Sequence, residues 1–316
     1  MKLTTIKELD LSGKRVLVRL DLDFDPKDTE NFRFKTSIPT LDHIKASGGK
    51  IIILGHRGRP EGKVDENLSL MPFSELFNKW DVEVVENLRF DPGEESNSIE
   101  FAKSLAEKGD IYINESFATS HREHASVVVL PKLLPHAAGI RFSQEVENLG
   151  KVLSSPQKPV VFIISGFKDG KLNYIPDFLK IADKILIGGR MPDHIHDTSA
   201  LRKDDKVLVG GLLPDKEDLT INAIEQFERE IEKAGTIVVS GPLGKYEEEG
   251  HRQGTERILR AVTNSQAYKV AGGGDTLSAI KLLGLEDKFD WLSVGGGAML
   301  EFLAKSTLPG IEVLLR

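Results

Sequence analysis

The stretch VAGGGDTLSAI (residues 270–280) decides the fold of this chain. An apolar strand end runs into Gly272, Gly273 and Gly274, and Asp275 then precedes a segment of helical character. Glycine lets the backbone approach a bulky partner because no Cβ intervenes. Amides at the start of a helix attract an anion, and a carboxylate there can hold a divalent cation. This stretch therefore predicts a site for a phosphate and its magnesium.

Strand-like and helix-like segments alternate along the chain, and further glycine turns follow at VGGGAMLEFL (294–303) and IGGRM (187–191). Buried parallel strands are predicted at 15–22, 50–56, 82–87 and 110–116, and again at 159–165, 183–189, 205–211, 235–241, 268–274 and 290–297. A helix at 142–155, ended by Pro156 and Pro159, separates the two series.

This pattern predicts an α/β fold of two doubly wound parallel-sheet (Rossmann-like) domains, 1–149 and 150–316, joined by a helix. The last few residues could pack back on the first domain. We expect binding sites at the carboxyl ends of the strands and a reaction cleft between the domains.

Composition narrows the class of protein. At 316 residues, with 40% hydrophobic and 29% charged residues, the chain suits a globular enzyme of two domains. A net charge of −7 argues against nucleic-acid partners, and no apolar run approaches the roughly 18 residues of a membrane span. The absence of cysteine and of a signal-peptide pattern fits a cytoplasmic protein. We expect a monomer with small-molecule partners.

Basic residues gather at strand ends in the first half: Arg19, Arg33, His56, Arg57, Arg59, Arg89, His121 and Arg122. A lone arginine is most often a surface charge. Arginines grouped at the ligand-binding edge of an acidic chain instead suit a small polyanion, because guanidinium groups hold carboxylates and phosphates through paired hydrogen bonds. His121 and His124 have no acidic or cysteine partner for a metal site, which favours phosphate contact or loop packing.

The second half supplies lysines and glycine turns. SGFKDGK (165–171) follows a predicted strand but is not a P-loop, because only three residues separate its two glycines. Lys168 and Lys171 still lie at a strand end, where an ammonium group can stabilise a phosphoryl group. SGPLGKYE (240–247) ends in Glu247, whose carboxylate suits ribose hydroxyls or, alternatively, begins a solvated acidic run.

Ordered motifs resemble those of the phosphoglycerate kinase family. VRLDLDFDP (18–26) resembles VRxDFNVP, RFKTSIPT (33–40) resembles RIxxALPT, LGHRGRPEG (54–62) resembles SHLGRPKG, ENLRF (86–90) is shared, and INESFATSHREHAS (113–126) resembles VNDAFGTAHRAHAS. SGFK (165–168) resembles GGAK, SGPLGKYE resembles NGPMGVFE, GGGDT (272–276) is shared, and GGGAMLEFL (295–303) with STLPGIEVL (306–314) resembles the closing motif. The resemblance extends from about residue 15 to the last residue, in family order.

The resemblance implies a phosphoglycerate-binding domain at 1–149 and a nucleotide-binding domain at 150–316. Five residues match family residues that bind phosphoglycerate: Asp21, Arg33, His56, Arg59 and Arg122. Asp23 stands where the family has a substrate-binding asparagine, and Lys158 stands where the family usually has an arginine. The implied reaction is reversible phosphoryl transfer between 1,3-bisphosphoglycerate and ADP, which gives 3-phosphoglycerate and ATP, with Mg²⁺ carried by the nucleotide.

The nucleotide and catalytic residues are implied in the same way. Lys168 matches the lysine that follows the transferring phosphoryl group, and Lys171 matches the lysine on the nucleotide α-phosphate after a gap in the alignment. Glu247 matches the glutamate that binds the ribose, and Asp275 matches the residue that contacts magnesium. Gly188, Gly189, Gly273, Gly274 and Thr276 belong to nucleotide loops, and Gly296 and Gly297 open a helix aimed at the phosphoryl group. Arg33 and Lys168 would reach that group from different domains as the cleft closes.

Departures from the family leave alternatives open. The chain is short between about residues 190 and 222, Arg190 replaces a glycine of the family's GGGM motif, and Ser240 replaces an asparagine. Asp23 adds a negative charge to an anion site. The substrate half therefore resembles the family more closely than the nucleotide half. A catalytically silent relative that binds or regulates is the main alternative. A nicotinamide oxidoreductase fits the bare alternation but lacks the dinucleotide fingerprint.

Overall fold

The computed structural model describes residues 2–196 and 198–316. The chain forms two compact units: unit 1 extends to Glu147 and also contains Thr307–Arg316, and unit 2 is Asn148–Ser306. The sequence places the division at residue 149, whereas the structure divides inside the helix Ile140–Ser154. No break in sequence pattern marks that point, because one helix continues through it.

Unit 1 is built on a parallel sheet of order β3-β2-β1-β4-β5. Its strands are β1 (Arg15–Arg19), β2 (Lys50–Leu54), β3 (Glu83–Val84), β4 (Ile111–Asn114) and β5 (His136–Ala138). The first four confirm predicted strands, although each ends before its predicted limit. Sequence analysis missed β5, because three residues rich in alanine carry no apolar run. The order reverses between β1 and β4, so the loops that follow them diverge and leave a crevice at the carboxyl edge.

Unit 2 repeats this design with a parallel sheet of order β11-β10-β9-β6-β7-β8. Its strands are β6 (Val160–Ile164), β7 (Lys184–Ile187), β8 (Val207–Val209), β9 (Thr236–Ser240), β10 (Tyr268–Gly272) and β11 (Trp291–Ser293). All of them lie within predicted strands, and the doubly wound α/β fold is confirmed for both units. In unit 2 the order reverses between β6 and β9, which marks the expected binding crevice.

The helices occupy the connections between strands. They are α1 (Phe32–Ala46), α2 (Phe73–Leu76), α3 (Pro92–Glu95), α4 (Ile99–Ala106), α5 (Leu130–Leu133), α6 (Ile140–Ser154), α7 (Ile175–Phe178), α8 (Ile221–Lys233), α9 (Gln253–Asn264), α10 (Gly274–Leu282), α11 (Gly296–Lys305) and α12 (Pro309–Glu312). Short 3-10 turns lie at Ile6–Glu8, Glu66–Leu68, Asn78–Trp80, Leu88–Phe90, Phe117–Thr119, Asp169–Tyr174, Met191–His194, Ala200–Lys203, Glu249–His251 and Glu286–Lys288, and a π-helical turn lies at Ala125–Val129. No helix in residues 2–196 and 198–316 combines the length and apolarity that a membrane crossing needs.

A buried carboxylate holds the start of α6. Glu115, which directly follows β4, accepts hydrogen bonds from the Arg141 and Phe142 amides at 3.0 Å and from the Thr40 hydroxyl at 2.5 Å. Burial raises the pKa of Glu115 to about 7, and these donors oppose the rise. The backbone of Gly139 lies against this carboxylate, since a Cβ there would be 2.1 Å from Glu115 Oε2. The start of the helix therefore depends on a glycine at 139.

Gly139 and Gly150 provide a matched test of this packing. Gly139→Ala should destabilise the protein by about 1–3 kcal/mol, because its methyl group must displace the buried Glu115 carboxylate. Gly150→Ala, inside α6 and with nothing within 4 Å of its Cβ, should stabilise by up to about 1 kcal/mol. Thermal melts of both variants beside the wild type measure the difference. A Gly139→Ala protein that melts as high as the wild type would contradict the packing account.

Candidate active site

Arg33 of unit 1 lies beside the loop that follows β1. Asn31 caps α1 and accepts the Arg33 amide at 3.1 Å, which fixes Arg33 in the first helical turn. Its Nε pairs with Asp21 Oδ2 at 2.9 Å, and its Nη1 donates to the Asp23 carbonyl. Burial raises the pKa of Asp21 although the Arg33 charge lowers it. Asp21 thus orients the guanidinium, whose side chain is still about a third exposed (31%).

His56 is held as a neutral hydrogen-bond donor. It follows β2, is buried, and has Arg19 Nη2 at 3.1 Å from its Nδ1. A guanidinium can only donate, so Nδ1 accepts and Nε2 carries the proton. Burial, reinforced by Arg19, Arg89 and Arg122, holds the pKa of His56 well below its usual value. His56 therefore offers an N–H group to an anion without a charge of its own.

Positive charge beside His56 is only partly neutralised. Arg89, in the shared string ENLRF, is buried and donates from Nη1 to the Gly58 carbonyl at 2.7 Å. Its Nε lies 3.2 Å from Glu95 Oε1, while its buried Nη2 has no hydrogen-bond partner among the described residues. Burial lowers the pKa of Arg89, and the nearby Arg122 lowers it further. A guanidinium with an unused buried donor suits a bound anion.

The substrate loops are tied to one another at the carboxyl edge of unit 1. Asp23 Oδ1 accepts the Gly58 amide at 2.9 Å, which links the loop after β1 to the loop after β2. Arg59 is exposed on that second loop, and Arg122 follows β4. The structure thus places all the predicted substrate residues of unit 1 in the loops at this edge or at the start of α1.

Lys158 is positioned differently. It precedes Val160, the first residue of β6, so it lies at the amino end of that strand. Its side chain is 70% exposed, and its Nζ is 3.3 Å from Asp183 Oδ1. The predicted site of unit 2 lies at the opposite, carboxyl ends of the strands. This position does not test the assignment of Lys158 to phosphoglycerate binding, which stays a prediction.

Unit 2 contains a cavity of about 400 Å³ at the reversal point of its sheet. Its lining includes the predicted residues Lys168, Lys171, Gly273, Gly274, Asp275, Thr276, Gly296 and Gly297, together with Gly170, Tyr174, Ser240, Gly241 and Leu300. These residues follow four strands of the sheet: β6, β9, β10 and β11. Helices α10 and α11 both begin here, so their amide groups face the same space.

Glycines allow these loops to touch through their backbones. A Cβ on Gly241 would lie 1.9 Å from the Ser165 carbonyl oxygen, and one on Gly296 would lie 2.5 Å from Gly273 Cα. Gly241 and Gly273 also have φ of 103° and 106°, in the region that glycine adopts readily. Glycine backbone therefore forms part of the cavity wall, which brings amide donors within reach of a bound phosphate.

Lys171 is a half-buried cation in the wall of the cavity. Its Nζ donates to the Ser165 carbonyl at 2.7 Å and to the Ser240 carbonyl at 3.1 Å, across the ends of β6 and β9. Burial lowers the pKa of Lys171 to about 8; Asp275 opposes this shift and Lys168 adds to it. Lys168 itself is exposed at the mouth of the loop. The two lysines thus differ: Lys171 is held in the wall by two carbonyls, whereas the side chain of Lys168 is exposed.

Asp275 and Thr276 have separate roles. The Thr276 hydroxyl accepts the Gly241 amide at 2.8 Å and donates to the Gly272 carbonyl at 2.9 Å, so it joins two loops. Asp275 is exposed in the cavity. No group of three or more His, Asp or Glu side chains placed for a metal occurs among the described residues. One carboxylate fits a magnesium ion that arrives with nucleotide phosphates, since Mg²⁺ is commonly held in that way.

Gly188, Gly189 and Glu247 are not among the cavity-lining residues. A Cβ on Gly189 would lie 2.5 Å from the Gly166 nitrogen, so this turn packs against the loop after β6. Glu247 is exposed beyond the Gly-Pro turn. Arg190 Nη1 lies 3.4 Å from Glu217 Oε1, in the region that the sequence marks as shortened. The residues expected to bind phosphate are therefore brought together in the cavity lining, which does not include Gly188, Gly189 or Glu247.

Comparisons with known proteins agree with this arrangement. The family model described as "Phosphoglycerate kinase" matches residues 6–85, 77–207 and 213–306. Proteins named phosphoglycerate kinase from Dictyoglomus turgidum and Moorella thermoacetica are 34% and 32% identical, and each alignment covers 98% of this chain and 97% and 98% of the relative, respectively. The solved structure of phosphoglycerate kinase from Coxiella burnetii superposes with a TM-score of 0.83 at 29% identity and covers 99% of both chains.

These matches, together with the fold and the cavity, define the chain as a phosphotransferase. It belongs to the phosphoglycerate kinase family, which confirms the resemblance seen in the motifs. The alignment with the Dictyoglomus protein extends over 395 residues, whereas this chain has 316, so the relative contains segments that this chain lacks. The family match is interrupted between residues 207 and 213, inside the region predicted to be short.

The sequence analysis noted Arg19 and Arg89 in the basic group but assigned neither to the site. The sequence contains a signal for each residue, because Arg19 lies at the end of β1 and Arg89 is part of the shared string ENLRF. Glu94, which accepts the Ser126 amide and hydroxyl at 2.9 and 2.6 Å, was not noted at all. The Ser126 hydroxyl in turn accepts a hydrogen bond from Arg19 Nε at 3.0 Å. This buried network therefore supports His56 through Arg19.

The lowered pKa of Lys171 predicts that nucleotide binding takes up a proton. Phosphate oxygens favour the ammonium form, so the affinity for MgADP should fall as pH rises above about 8, by at most about tenfold per pH unit. Lys171→Arg should remove this dependence, because arginine stays charged. Calorimetric titrations between about pH 7 and about pH 9.5, in buffers of different ionisation enthalpy, measure the proton uptake. An unchanged wild-type affinity over that range would contradict the assignment.

Proposed function

We propose that this chain catalyses reversible phosphoryl transfer from the acyl phosphate of 1,3-bisphosphoglycerate to ADP, which yields 3-phosphoglycerate and ATP. The observation that carries the proposal is the cavity of unit 2, which combines two lysines and one carboxylate at the sheet reversal. Membership of the phosphoglycerate kinase family over the whole chain supports the same reaction.

Unit 1 would bind the phosphoglycerate. Arg89 and Arg122 suit the phosphate and carboxylate groups, because their charges lie near one another and only part of the charge of Arg89 is neutralised. Arg59 would contribute as the resemblance implies. His56 would donate its Nε2 proton to an anionic oxygen. Arg33, oriented by Asp21, would contact the group in transfer. Asp23 would accept a hydrogen bond from a substrate hydroxyl, since a carboxylate repels the anionic groups.

Unit 2 would bind the nucleotide phosphates. Lys171 and the amides of Gly273 and Gly274 line the wall that would receive them, and Thr276 keeps that wall closed through its two hydrogen bonds. Asp275 would hold Mg²⁺, which neutralises phosphate charge when it is bound with the nucleotide. Glu247 would contact the ribose, as the resemblance implies.

The transfer needs position and charge neutralisation rather than a covalent enzyme intermediate. An oxygen of the ADP β-phosphate attacks the phosphorus of the acyl phosphate, and the bond from that phosphorus to the carboxyl oxygen breaks. The leaving group is a carboxylate, so no proton has to move. Lys168 and Arg33 would neutralise the migrating group, and the amides of Gly296 and Gly297 would donate to its oxygens.

A turnover assay decides between the enzyme and a silent relative. Purified protein is mixed with MgADP and with acyl phosphate generated in place, and ATP formation is followed. The proposal expects ATP to form in proportion to enzyme, and a Lys168→Met variant should abolish it. A protein that binds 3-phosphoglycerate and MgADP but forms no ATP would establish the silent relative.

The expected monomeric state and cytoplasmic location stay predictions.

Arg33 and Lys35 allow a controlled test of the catalytic assignment, because both lie on the first turns of α1. Arg33→Ala should lower kcat by about 10²- to 10³-fold, as expected for the loss of one preorganised donor. Lys35 pairs with Glu30 on the surface, so Lys35→Ala should keep wild-type kinetics. Steady-state kinetics with both substrates separate kcat from KM. An Arg33→Ala enzyme within a few-fold of the wild type would remove Arg33 from the catalytic role.

A further inference from the structure

A histidine joins two loops at the carboxyl edge of unit 2. His251 lies in the turn that precedes α9, with its Nε2 3.0 Å from Asp215 Oδ2 and its Nδ1 3.3 Å from Glu248 Oε2. An ionised carboxylate only accepts hydrogen bonds, so both ring nitrogens must donate. A neutral imidazole donates from one nitrogen alone, whereas an imidazolium donates from both. The two contacts together therefore need the charged ring.

The groups that face His251 favour its charged form. The hydrogen bond to Asp215 raises the pKa of His251 above its usual value, burial opposes the rise, and the hydrogen bond to Glu248 adds to it. Asp218 is also near, because burial raises the pKa of Asp218 and the charge of His251 opposes that rise. Lys245 Nζ pairs with Glu248 Oε1, the oxygen that His251 leaves open. Three carboxylates and one ammonium group therefore lie near the ring.

Asp215 belongs to the 212–219 turn, which is closed by an antiparallel bridge between its first and last residues. The turn begins where the family match is interrupted. The Lys245 amide donates to the Glu217 carbonyl of this turn at 2.8 Å. His251 therefore adds a side-chain contact at a place where the loop after β9 already touches the turn through its backbone.

Glu247, on the same loop after β9, lies near the phosphate cavity although it does not line it. Tyr246, the residue before Glu247, is buried. Burial raises the pKa of the Tyr246 hydroxyl, and the carboxylates of Glu247 and Asp275 raise it further. Asp275 lines the cavity, so one hydroxyl group lies near both the cavity and Glu247. Glu247 is therefore placed to contact the sugar of a nucleotide whose phosphates occupy the cavity.

We propose that charged His251 is a positioning residue for Glu247. Its hydrogen bonds to Asp215 and Glu248 hold the loop after β9 on the 212–219 turn, so that Glu247 binds the ribose of a nucleoside diphosphate. Glu248 directly follows Glu247, so a displacement of Glu248 moves the backbone of Glu247 as well. When His251 loses its proton, one carboxylate faces a ring lone pair and that hydrogen bond is lost. The proposal rests on the proposed function, since it concerns the ribose side of the same nucleotide site.

The proposal predicts a pH dependence that belongs to the ribose alone. Dideoxy-ADP lacks both ribose hydroxyls but keeps the base and the phosphates of ADP, so protonation of Lys171 affects both ligands alike. The ratio of the affinities for MgADP and for Mg-dideoxy-ADP therefore reports the ribose contact. Because the pKa of His251 is raised, the contact is complete below that pKa and is lost as pH rises through it. The ratio should fall by about 2- to 5-fold between about pH 6 and about pH 9, the size expected for an exposed ion pair.

Binding titrations of three variants test the positioning role. His251→Gln keeps a donor but has no charge, so at every pH it should give the low ratio of the wild type at high pH. Its kcat at saturating nucleotide should match the wild type, because His251 does not line the phosphate cavity. Glu247→Ala should bind MgADP no more tightly than the dideoxy analogue. His196→Gln is the matched control, since His196 is an exposed histidine of unit 2 that the proposal does not use, and it should keep the wild-type ratio and its pH dependence.

Each other outcome contradicts a stated part of the account. A wild-type ratio that stays constant with pH would overturn the positioning role, as would an unchanged ratio in His251→Gln at the acid end of the range. A wild-type protein that binds MgADP and the dideoxy analogue equally tightly at every pH would remove Glu247 from ribose binding and overturn the positioning role, but would keep the phosphate site. A protein that binds neither ligand would overturn the proposed function as well.

Discussion

Loop backbones meet in two direct contacts at the reversal point of the unit 2 sheet, one between the loops after β6 and β9 and one between the loops after β10 and β11. Gly241 lies against the Ser165 carbonyl, and Gly296 lies against Gly273. A methyl group at either contact would push the two loops concerned apart. At Gly241 it would also displace the Ser165 carbonyl, one of the two that Lys171 joins. The cavity and its amide donors therefore depend on these two backbone contacts, and the position of Lys171 depends on the one at Gly241. The parallel sheet supplies the convergence, since the carboxyl ends of its strands lie at one edge.

In the proposed function, the two units bind anions with different chemical groups. Unit 1 uses arginines, one with an unused buried donor, around a histidine that burial keeps neutral. Unit 2 uses backbone amides and lysines, one of them with a pKa lowered to about 8. Guanidinium groups suit the fixed carboxylate and phosphate of a small acid, whereas amides and a mobile ammonium suit a phosphoryl group that changes position. This difference matches an acceptor and a donor that share one migrating group.

The sequence predicted those parts of the fold and site that follow from the residues of one short segment. Glycine turns after apolar strands indicated the cavity, because the ends of parallel strands share an edge. The hydrogen bond from Arg19 to His56 was not predictable, since it depends on the pairing of β1 with β2 and on burial. The hydrogen bonds of Lys171 to the Ser165 and Ser240 carbonyls could not be predicted either, since they depend on the pairing of β6 with β9. Lys158 was assigned from a motif match alone, and its position before β6 leaves that assignment a prediction.

The Gly296 backbone contact offers the most direct test of the account. Gly296→Ala should weaken MgADP binding by about 10-fold or more and lower kcat on the order of 10²-fold, as expected for a displacement of roughly 1 Å at the reacting group. Its affinity for 3-phosphoglycerate should not change, which would show that unit 1 is intact. Gly250→Ala, with nothing within 4 Å of its Cβ, is the control and should match the wild type. A Gly296→Ala enzyme that binds MgADP and turns over like the wild type would contradict the account.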